Sequence, residues 1–159
     1  MTEALAEPQT LTLHVNGRDH RVRARAHHTL VDVLRDELRL RSVREGCGVG
    51  MCGACTVLLD GEPVSGCLVL APAAEGREIR TVESLVDGDR LAPLQAAFVE
   101  HTAFQCSFCT PGFLLTASRL LEERPGATDG EIAEYLAGSL CRCGSYVKIL
   151  DAVRSLSRR

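Results

Sequence analysis

The chain has 159 residues, of which 45% are hydrophobic and 25% are charged, and its formal net charge is −3. It contains no apolar run of membrane-spanning length and no basic patch with interleaved aromatic residues, so we expect neither membrane insertion nor nucleic-acid binding. Aromatic residues make up only 4% of the chain. Because the N-terminus does not resemble a signal peptide, we expect a cytoplasmic protein.

The first predicted domain, over residues 10–84, follows a flexible N-terminus at 1–9. Alternating apolar residues over 11–15, an Asn16-Gly17 turn and a return strand predict a hairpin. Thr29 can cap a helix whose apolar face runs to Leu38. A strand over 56–59 and an Asp60-Gly61 turn then predict a second hairpin, whose return strand carries Cys67. Residues 71–80 predict a break in the regular secondary structure, and 81–82 are a candidate terminal strand of the sheet.

The second predicted domain, over residues 85–159, is helical. The spacing of Leu94, Ala97 and Phe98 predicts a first helix. Thr110 with Pro111 predicts the start of a second helix, which 124–126 ends. Thr128 and Glu131 can form a capping box for a third helix ending at Gly138, and a fourth is expected over about 146–156.

All eight cysteines fall into two sets of four. The first set has the spacing C-x4-C-x2-C-x11-C and comprises Cys47, Cys52, Cys55 and Cys67. The second has the spacing C-x2-C-x31-C-x-C and comprises Cys106, Cys109, Cys141 and Cys143. Four thiolates can hold a [2Fe–2S] cluster, and the first set begins with the plant-type ferredoxin spacing. We therefore predict two [2Fe–2S] clusters, with the first set on a β-grasp, plant-type ferredoxin fold.

Two other uses of the cysteines are disulfides and structural zinc. Their density is lower than that of secreted disulfide scaffolds, and closely spaced cysteines on a Gly-rich backbone are better placed to converge on a metal. Structural zinc also uses C-x2-C pairs, although usually as two such pairs about fifteen to twenty residues apart. The glycines around the first set favour a bulkier inorganic core. Zinc remains the alternative for both sets, and more so for the second.

Three motifs in the same order resemble the small iron–sulfur subunits of the molybdenum hydroxylases. They are Glu45-Gly46-Cys47-Gly48 with Cys52-Gly53-Ala54-Cys55-Thr56-Val57, then Gln105-Cys106 to Cys109-Thr110-Pro111-Gly112, and then Leu140-Cys141-Arg142-Cys143. That family includes xanthine dehydrogenase, carbon monoxide dehydrogenase, and aldehyde and isoquinoline oxidoreductases. The resemblance implies an α+β fold in which a β-grasp ferredoxin domain precedes a C-terminal four-helix bundle.

The resemblance also implies partners and site residues. A large subunit would hold a molybdopterin cofactor and a medium subunit FAD, in a hetero-oligomer for which a dimer of heterotrimers is one arrangement. By position, Gln105 matches the family glutamine that hydrogen-bonds the pterin, and Cys143 matches the ligand whose sulfur lies against it. The chain departs from the family at Ser107, where glycine is usual, and at Ser139, where asparagine is usual.

The function implied is the relay of single electrons from a molybdopterin centre through two clusters to FAD or another acceptor. We expect no substrate-converting site on this chain, because its histidines are scattered and no nucleophile and base share a motif. Gly144-Ser145-Tyr146 is closer to the isoquinoline-oxidoreductase branch, which hints at an N-heterocycle or aldehyde substrate. The alternatives are a free two-cluster ferredoxin and a zinc-stapled interaction module.

Overall fold

Five strands form one mixed sheet in the N-terminal half of the computed structural model, which describes residues 7–86, 88 and 90–158. Strands β1 and β2 form an antiparallel hairpin, as do β3 and β4, which confirms both predicted hairpins. β5 lies between them, parallel to β1 and antiparallel to β3. The strands are β1 (Gln9–Val15), β2 (Arg18–Ala24), β3 (Thr56–Leu59), β4 (Glu62–Ser65) and β5 (Glu78–Arg80).

Most of the predicted flexible N-terminus, residues 1–6 of 1–9, lies outside the described residues. The sheet itself begins at Gln9, inside the segment predicted to be flexible and two residues before the alternation at 11–15. Leu11, Leu13 and Val15 are buried on one side of β1, as their alternation predicts.

The predicted helix after Thr29 is present, but it changes type along its length. The helix α1 (Leu30–Asp32) has a capping box, in which the Asp32 N–H donates to Thr29 Oγ1 at 3.3 Å and the Thr29 N–H donates to Asp32 Oδ2 at 2.8 Å. A π-helical turn, Val33–Glu37, continues it, and the Leu38 N–H donates to the Val33 carbonyl at 3.2 Å. The predicted helix is therefore confirmed over 30–37, but from Val33 onwards it is π-helical.

The predicted strand through Cys67 was wrong. β4 ends at Ser65, and Cys67 lies buried in the turn that follows. The Gly66 N–H donates to the Cys55 carbonyl at 3.2 Å, and a Cβ at Gly66 would lie 3.2 Å from Val31 Cγ2. The chain leaves the sheet here because this turn must pass closely beneath α1.

The final strand was also predicted in the wrong place. Residues 71–80 do not form a break, since a 3-10 helix (Ala71–Ala74) leads into β5 at Glu78–Arg80, and 82–85 form another 3-10 turn. β5 has three residues, of which Ile79 is buried. Three residues are too few to show an alternation of apolar and polar side chains. Backbone bonds hold it instead: the Asn16 N–H donates to the Ile79 carbonyl, and the Asp60 N–H donates to the Glu78 carbonyl, both at 2.8 Å.

Four helices make up the C-terminal half and surround a second apolar core. They are α2 (Pro93–Glu100), α3 (Thr110–Glu123), α4 (Asp129–Tyr135) and α5 (Tyr146–Ser157). Large buried side chains come from every one of them, including Phe98, Phe113, Ile132 and Ile149. α4 ends at Tyr135, three residues before the predicted end, and a turn occupies 136–138. Within the described residues, none of the helices is long and apolar enough to cross a membrane.

The predicted capping box of α4 is formed, and it supports a stability prediction. The Glu131 N–H donates to Thr128 Oγ1 at 3.4 Å, and the Thr128 N–H donates to Glu131 Oε2 at 2.8 Å. Thr128→Ala leaves the Glu131 N–H without its side-chain acceptor, so we expect the free energy of unfolding to fall by about 1 kcal/mol. Thr128→Ser keeps the hydroxyl and serves as the matched control. Thermal unfolding of the cluster-loaded protein measures both, and equal losses would contradict the capping role.

Candidate metal centres

The first three cysteines of the first set lie on a tightly curled loop between the π-helical turn and β3. Gly48, Gly50 and Gly53 have φ values of 68°, 75° and 69°, in the left-handed region that glycine adopts without strain. This path turns backbone N–H groups towards sulfur, and the Met51 N–H donates to Cys47 Sγ at 3.3 Å. Cys67 reaches the same place from the turn after β4.

The thiols of the first set contact one another in two pairs. The Cys52 thiol helps to lower the pKa of Cys47, and the Cys67 thiol helps to raise the pKa of Cys55, so the members of each pair are neighbours. The N–H groups of Val49 and Met51 lower the pKa of the exposed Cys47 thiol to about 7. Burial, together with the neighbouring Cys67, raises the pKa of Cys55 to about 11. The first set is therefore exposed and stabilises negative charge on the side of Cys47, and it is buried on the side of Cys55.

The second set joins two loops of the C-terminal half that lie far apart in sequence. Cys106 and Cys109 precede α3, whereas Cys141 and Cys143 precede α5. The Sγ atoms of Cys106 and Cys143 lie 3.5 Å apart, and Cys109 hydrogen-bonds Cys141. The thiols of this set thus also contact one another in two pairs.

The thiols of the second set also lie in different environments. Burial raises the pKa of Cys109 to about 12. Burial also acts to raise the pKa of Cys141, but hydrogen bonds outweigh it and the pKa is lowered. The first of those bonds comes from the Ser145 N–H, 3.4 Å from Cys141 Sγ. The Phe108 N–H lowers the pKa of the exposed Cys106. N–H groups directed at sulfur favour the thiolate form, which is the form that binds metal.

Two thiols side by side, twice in each set, fit the ligand arrangement of a [2Fe–2S] cluster, in which each iron takes two thiolates. The N–H groups around them would stabilise the negative charge of cluster and thiolates. Within 7–86, 88 and 90–158, no three His, Cys, Asp or Glu side chains are placed to hold a single ion.

Gln105, predicted to contact the pterin, is exposed at the edge of the second set. Its Nε2 donates to the Cys143 carbonyl at 3.2 Å, so the two residues predicted to meet the pterin lie side by side. Ser107, at the position where the family usually has glycine, has a φ of 60°. That is the left-handed region, which explains why glycine suits this position.

Two further residues at the sites were missed by sequence reasoning. The Arg44 guanidinium donates to the Ser107 carbonyl, 63 positions along the chain, and lies 5.5 Å from the centre of the Phe108 ring. The Tyr146 hydroxyl accepts the Cys141 N–H at 2.8 Å. No local pattern marks the role of Arg44, because its contacts depend on how distant segments pack. Tyr146 lies only five positions after Cys141, so its nearness to that loop is a local signal.

Comparison with known families gives both halves of the chain an iron–sulfur description. A family described as "2Fe-2S iron-sulfur cluster binding domain" matches residues 13–85, and one described as "[2Fe-2S] binding domain" matches residues 81–154. The chain therefore has two [2Fe–2S]-binding domains, as predicted from its cysteines.

Among similar proteins, the nicotine 6-hydroxylase small subunit of Paenarthrobacter nicotinovorans is 50% identical over 143 residues, which cover 90% of this chain and 86% of that protein. The nicotinate dehydrogenase small FeS subunit of Eubacterium barkeri is 43% identical, covering 91% of this chain and 92% of that one. The crystal structure of quinoline 2-oxidoreductase from Pseudomonas putida 86 aligns with a TM-score of 0.92 at 39% identity, covering 96% of this chain and 94% of that one.

The fold and the two cysteine sets define an iron–sulfur protein of the [2Fe–2S] class. The chain belongs to the small iron–sulfur subunits of the molybdenum hydroxylases, which confirms the resemblance carried by its three motifs. Subunits of this family belong to oxidoreductase complexes, which supports an electron-transfer role.

Proposed function

We propose that this chain is the electron-transfer subunit of a molybdenum-containing hydroxylase. In this role it passes single electrons from a molybdopterin centre on a large subunit, through two [2Fe–2S] clusters, to FAD or another acceptor. The observation that carries the proposal is that each of two sites brings four thiols together as neighbours, with the Sγ atoms of Cys106 and Cys143 3.5 Å apart. A bound [2Fe–2S] cluster supplies a one-electron carrier, so two such sites suit a stepwise relay.

The proposed ligands divide between two domains. Cys47, Cys52, Cys55 and Cys67 would hold one cluster in a β-grasp domain over 10–84. Cys106, Cys109, Cys141 and Cys143 would hold the other in a four-helix bundle over 85–159. No residue is shared between the two ligand sets, so each site can be removed separately.

The side of the second set that carries Gln105 is the proposed face for the large subunit. The Gln105 amide is held against the Cys143 carbonyl, which keeps this polar group beside an exposed ligand loop. Leu140, Tyr146 and Val147 are large side chains exposed nearby in sequence. Exposed apolar side chains around a polar anchor suit a surface that another subunit covers. Gln105 and Cys143 would contact the pterin there.

The outer side of the first set is the proposed face for the acceptor. Cys47 is exposed, and so are Val49, Met51 and Leu68. A Cβ at Gly50 would lie 2.4 Å from Leu68 Cδ1, so Leu68 packs against the loop that bears Cys47. Apolar side chains next to the exposed ligand suit docking of a medium, FAD-binding subunit, and the complex would be a hetero-oligomer such as a dimer of heterotrimers.

For the complex we propose an aromatic N-heterocycle as the substrate class, hydroxylated by the large subunit. Two of the similar proteins are named for nicotine and nicotinate, and one of the similar crystal structures is that of a quinoline oxidoreductase. We propose no substrate-converting site on this chain, whose part is to hold, orient and shield the two redox groups.

The proposal is tested on the native complex, purified through this chain. We expect iron, acid-labile sulfide, molybdenum and flavin to co-purify, and anaerobic addition of nicotine, nicotinate or quinoline to reduce two distinct [2Fe–2S] species seen by electron paramagnetic resonance. Reduction by benzaldehyde alone would overturn the substrate class but not the relay. Two clusters without a molybdenum partner would instead identify a free ferredoxin.

A further inference from the structure

The two ligand sets are joined by a direct backbone contact. The Leu140 N–H donates to the Cys52 carbonyl at 3.0 Å. Cys52 belongs to the first set, and Leu140 immediately precedes Cys141 of the second. One hydrogen bond therefore connects a residue of one proposed cluster site to the neighbour of a residue of the other.

Two glycines make this contact sterically feasible. A Cβ at Gly112, which is buried in the first turn of α3, would lie 2.1 Å from the Gly53 carbonyl oxygen, far inside van der Waals contact. A Cβ at Gly53 would lie 2.8 Å from Ser139 Oγ and 2.9 Å from the Gly138 carbonyl oxygen. The backbone near Gly53, Gly112 and Ser139 thus meets where no side chain fits. These three segments lie next to Cys52, Cys109 and Cys141 in the sequence.

Side-chain contacts elsewhere also connect the two halves of the chain. The Arg44 N–H donates to the Ala54 carbonyl at 3.2 Å within the first ligand loop, while its guanidinium donates to the Ser107 carbonyl within the second set. Further along α3, Arg119 Nη2 donates to Glu62 Oε1 of β4 at 2.9 Å. Contacts at several points oppose rocking of one half against the other.

We infer that Gly53 and Gly112 are positioning residues for electron transfer between the two clusters. By omitting side chains they bring the two ligand loops into backbone contact and so set the separation across which an electron must pass. This inference rests on the proposed function. Electron transfer through protein slows as the distance between the two centres grows. A methyl group at Gly112 forces a displacement of about 1 Å, because carbon and oxygen cannot approach to 2.1 Å.

The test is Gly112→Ala in the holo complex, with Gly130→Ala as the matched control. A Cβ at Gly130, in the first turn of α4, meets none of the described residues within 4 Å. We expect Gly112→Ala to slow electron transfer between the clusters several-fold and to weaken the magnetic interaction between the two reduced clusters. The iron content and the separate spectrum of each cluster should stay as in the wild type. Gly130→Ala should change none of these.

A second variant decides the matter if Gly112→Ala does not load both clusters. Leu140→Pro removes the N–H that donates to the Cys52 carbonyl, and Gly130→Ala again serves as the control. Slow transfer in the proline variant alone supports the inference. Wild-type transfer rates in every loaded variant would overturn it. A wild-type chain with no cluster to reduce would instead refute the proposed function, so the two failures are distinguishable.

Discussion

Cys143→Ser is expected to remove the second cluster and stop electron delivery, while the first cluster remains. Cys143 Sγ lies 3.5 Å from Cys106 Sγ, and this pair is one side of the second site. A serine oxygen is a poorer ligand for iron than a thiolate, so one iron of that cluster would lose half of its protein ligands. Substrate-dependent reduction of the acceptor should fall at least about a hundredfold, since even outer partners of metal ligands cost roughly 10–100-fold.

Iron analysis and electron paramagnetic resonance of the purified variant measure this outcome. Iron should fall by half, and one of two [2Fe–2S] signals should disappear. Cys67→Ser is the reciprocal variant and should remove the other signal, because the two sets share no residue. Equal loss of both signals in either variant would contradict two independent sites.

Charging the outer face of the first set is expected to uncouple this chain from its acceptor. Val49, Met51 and Leu68 are 64%, 70% and 63% exposed and flank the exposed Cys47. Met51→Asp with Leu68→Asp would place two carboxylates in an interface that has no partners for them, and burial of an unpaired charge is costly. We expect binding of the flavin subunit to weaken at least about tenfold, which corresponds to about 1.4 kcal/mol.

Stopped-flow absorbance separates this effect from a general loss of function. Substrate should still reduce both clusters at the wild-type rate, but their reoxidation should become slow. Leu91→Asp is the control, because Leu91 is 54% exposed and lies in the segment before α2, outside the proposed face. Unchanged reoxidation in the double variant, or an equal effect of Leu91→Asp, would count against this surface as the acceptor face.

Local signals explain what could be predicted from the sequence. The β1–β2 hairpin follows from alternation and the Asn16-Gly17 turn, both of which act within a few residues. The caps at Thr29 and Thr128 involve partners three positions away, so their geometry is encoded where it is used. The sorting of eight cysteines into two sets of four is visible in spacing alone, and the family match gives both halves the predicted iron–sulfur class.

Elements with little local signal were predicted wrongly. β5 buries Ile79 on three residues and owes its place to strands β1 and β3 on either side. The turn that carries Cys67 leaves the sheet early because Gly66 must fit beneath Val31. The π-helical turn after Asp32 has an ordinary amphipathic sequence, and its widened hydrogen bonding is not evident from periodicity.

By itself, the sequence determined the chemistry of this protein, because thiols at ligand spacing and glycines beside them are properties of short segments. It also determined both hairpin turns and the order of the four C-terminal helices. Only the tertiary structure decided that Cys143 lies against Cys106, that Arg44 reaches Ser107, and that Gly112 packs against Gly53. Those contacts join segments tens of residues apart, and such contacts form only when two apolar cores bring the segments together.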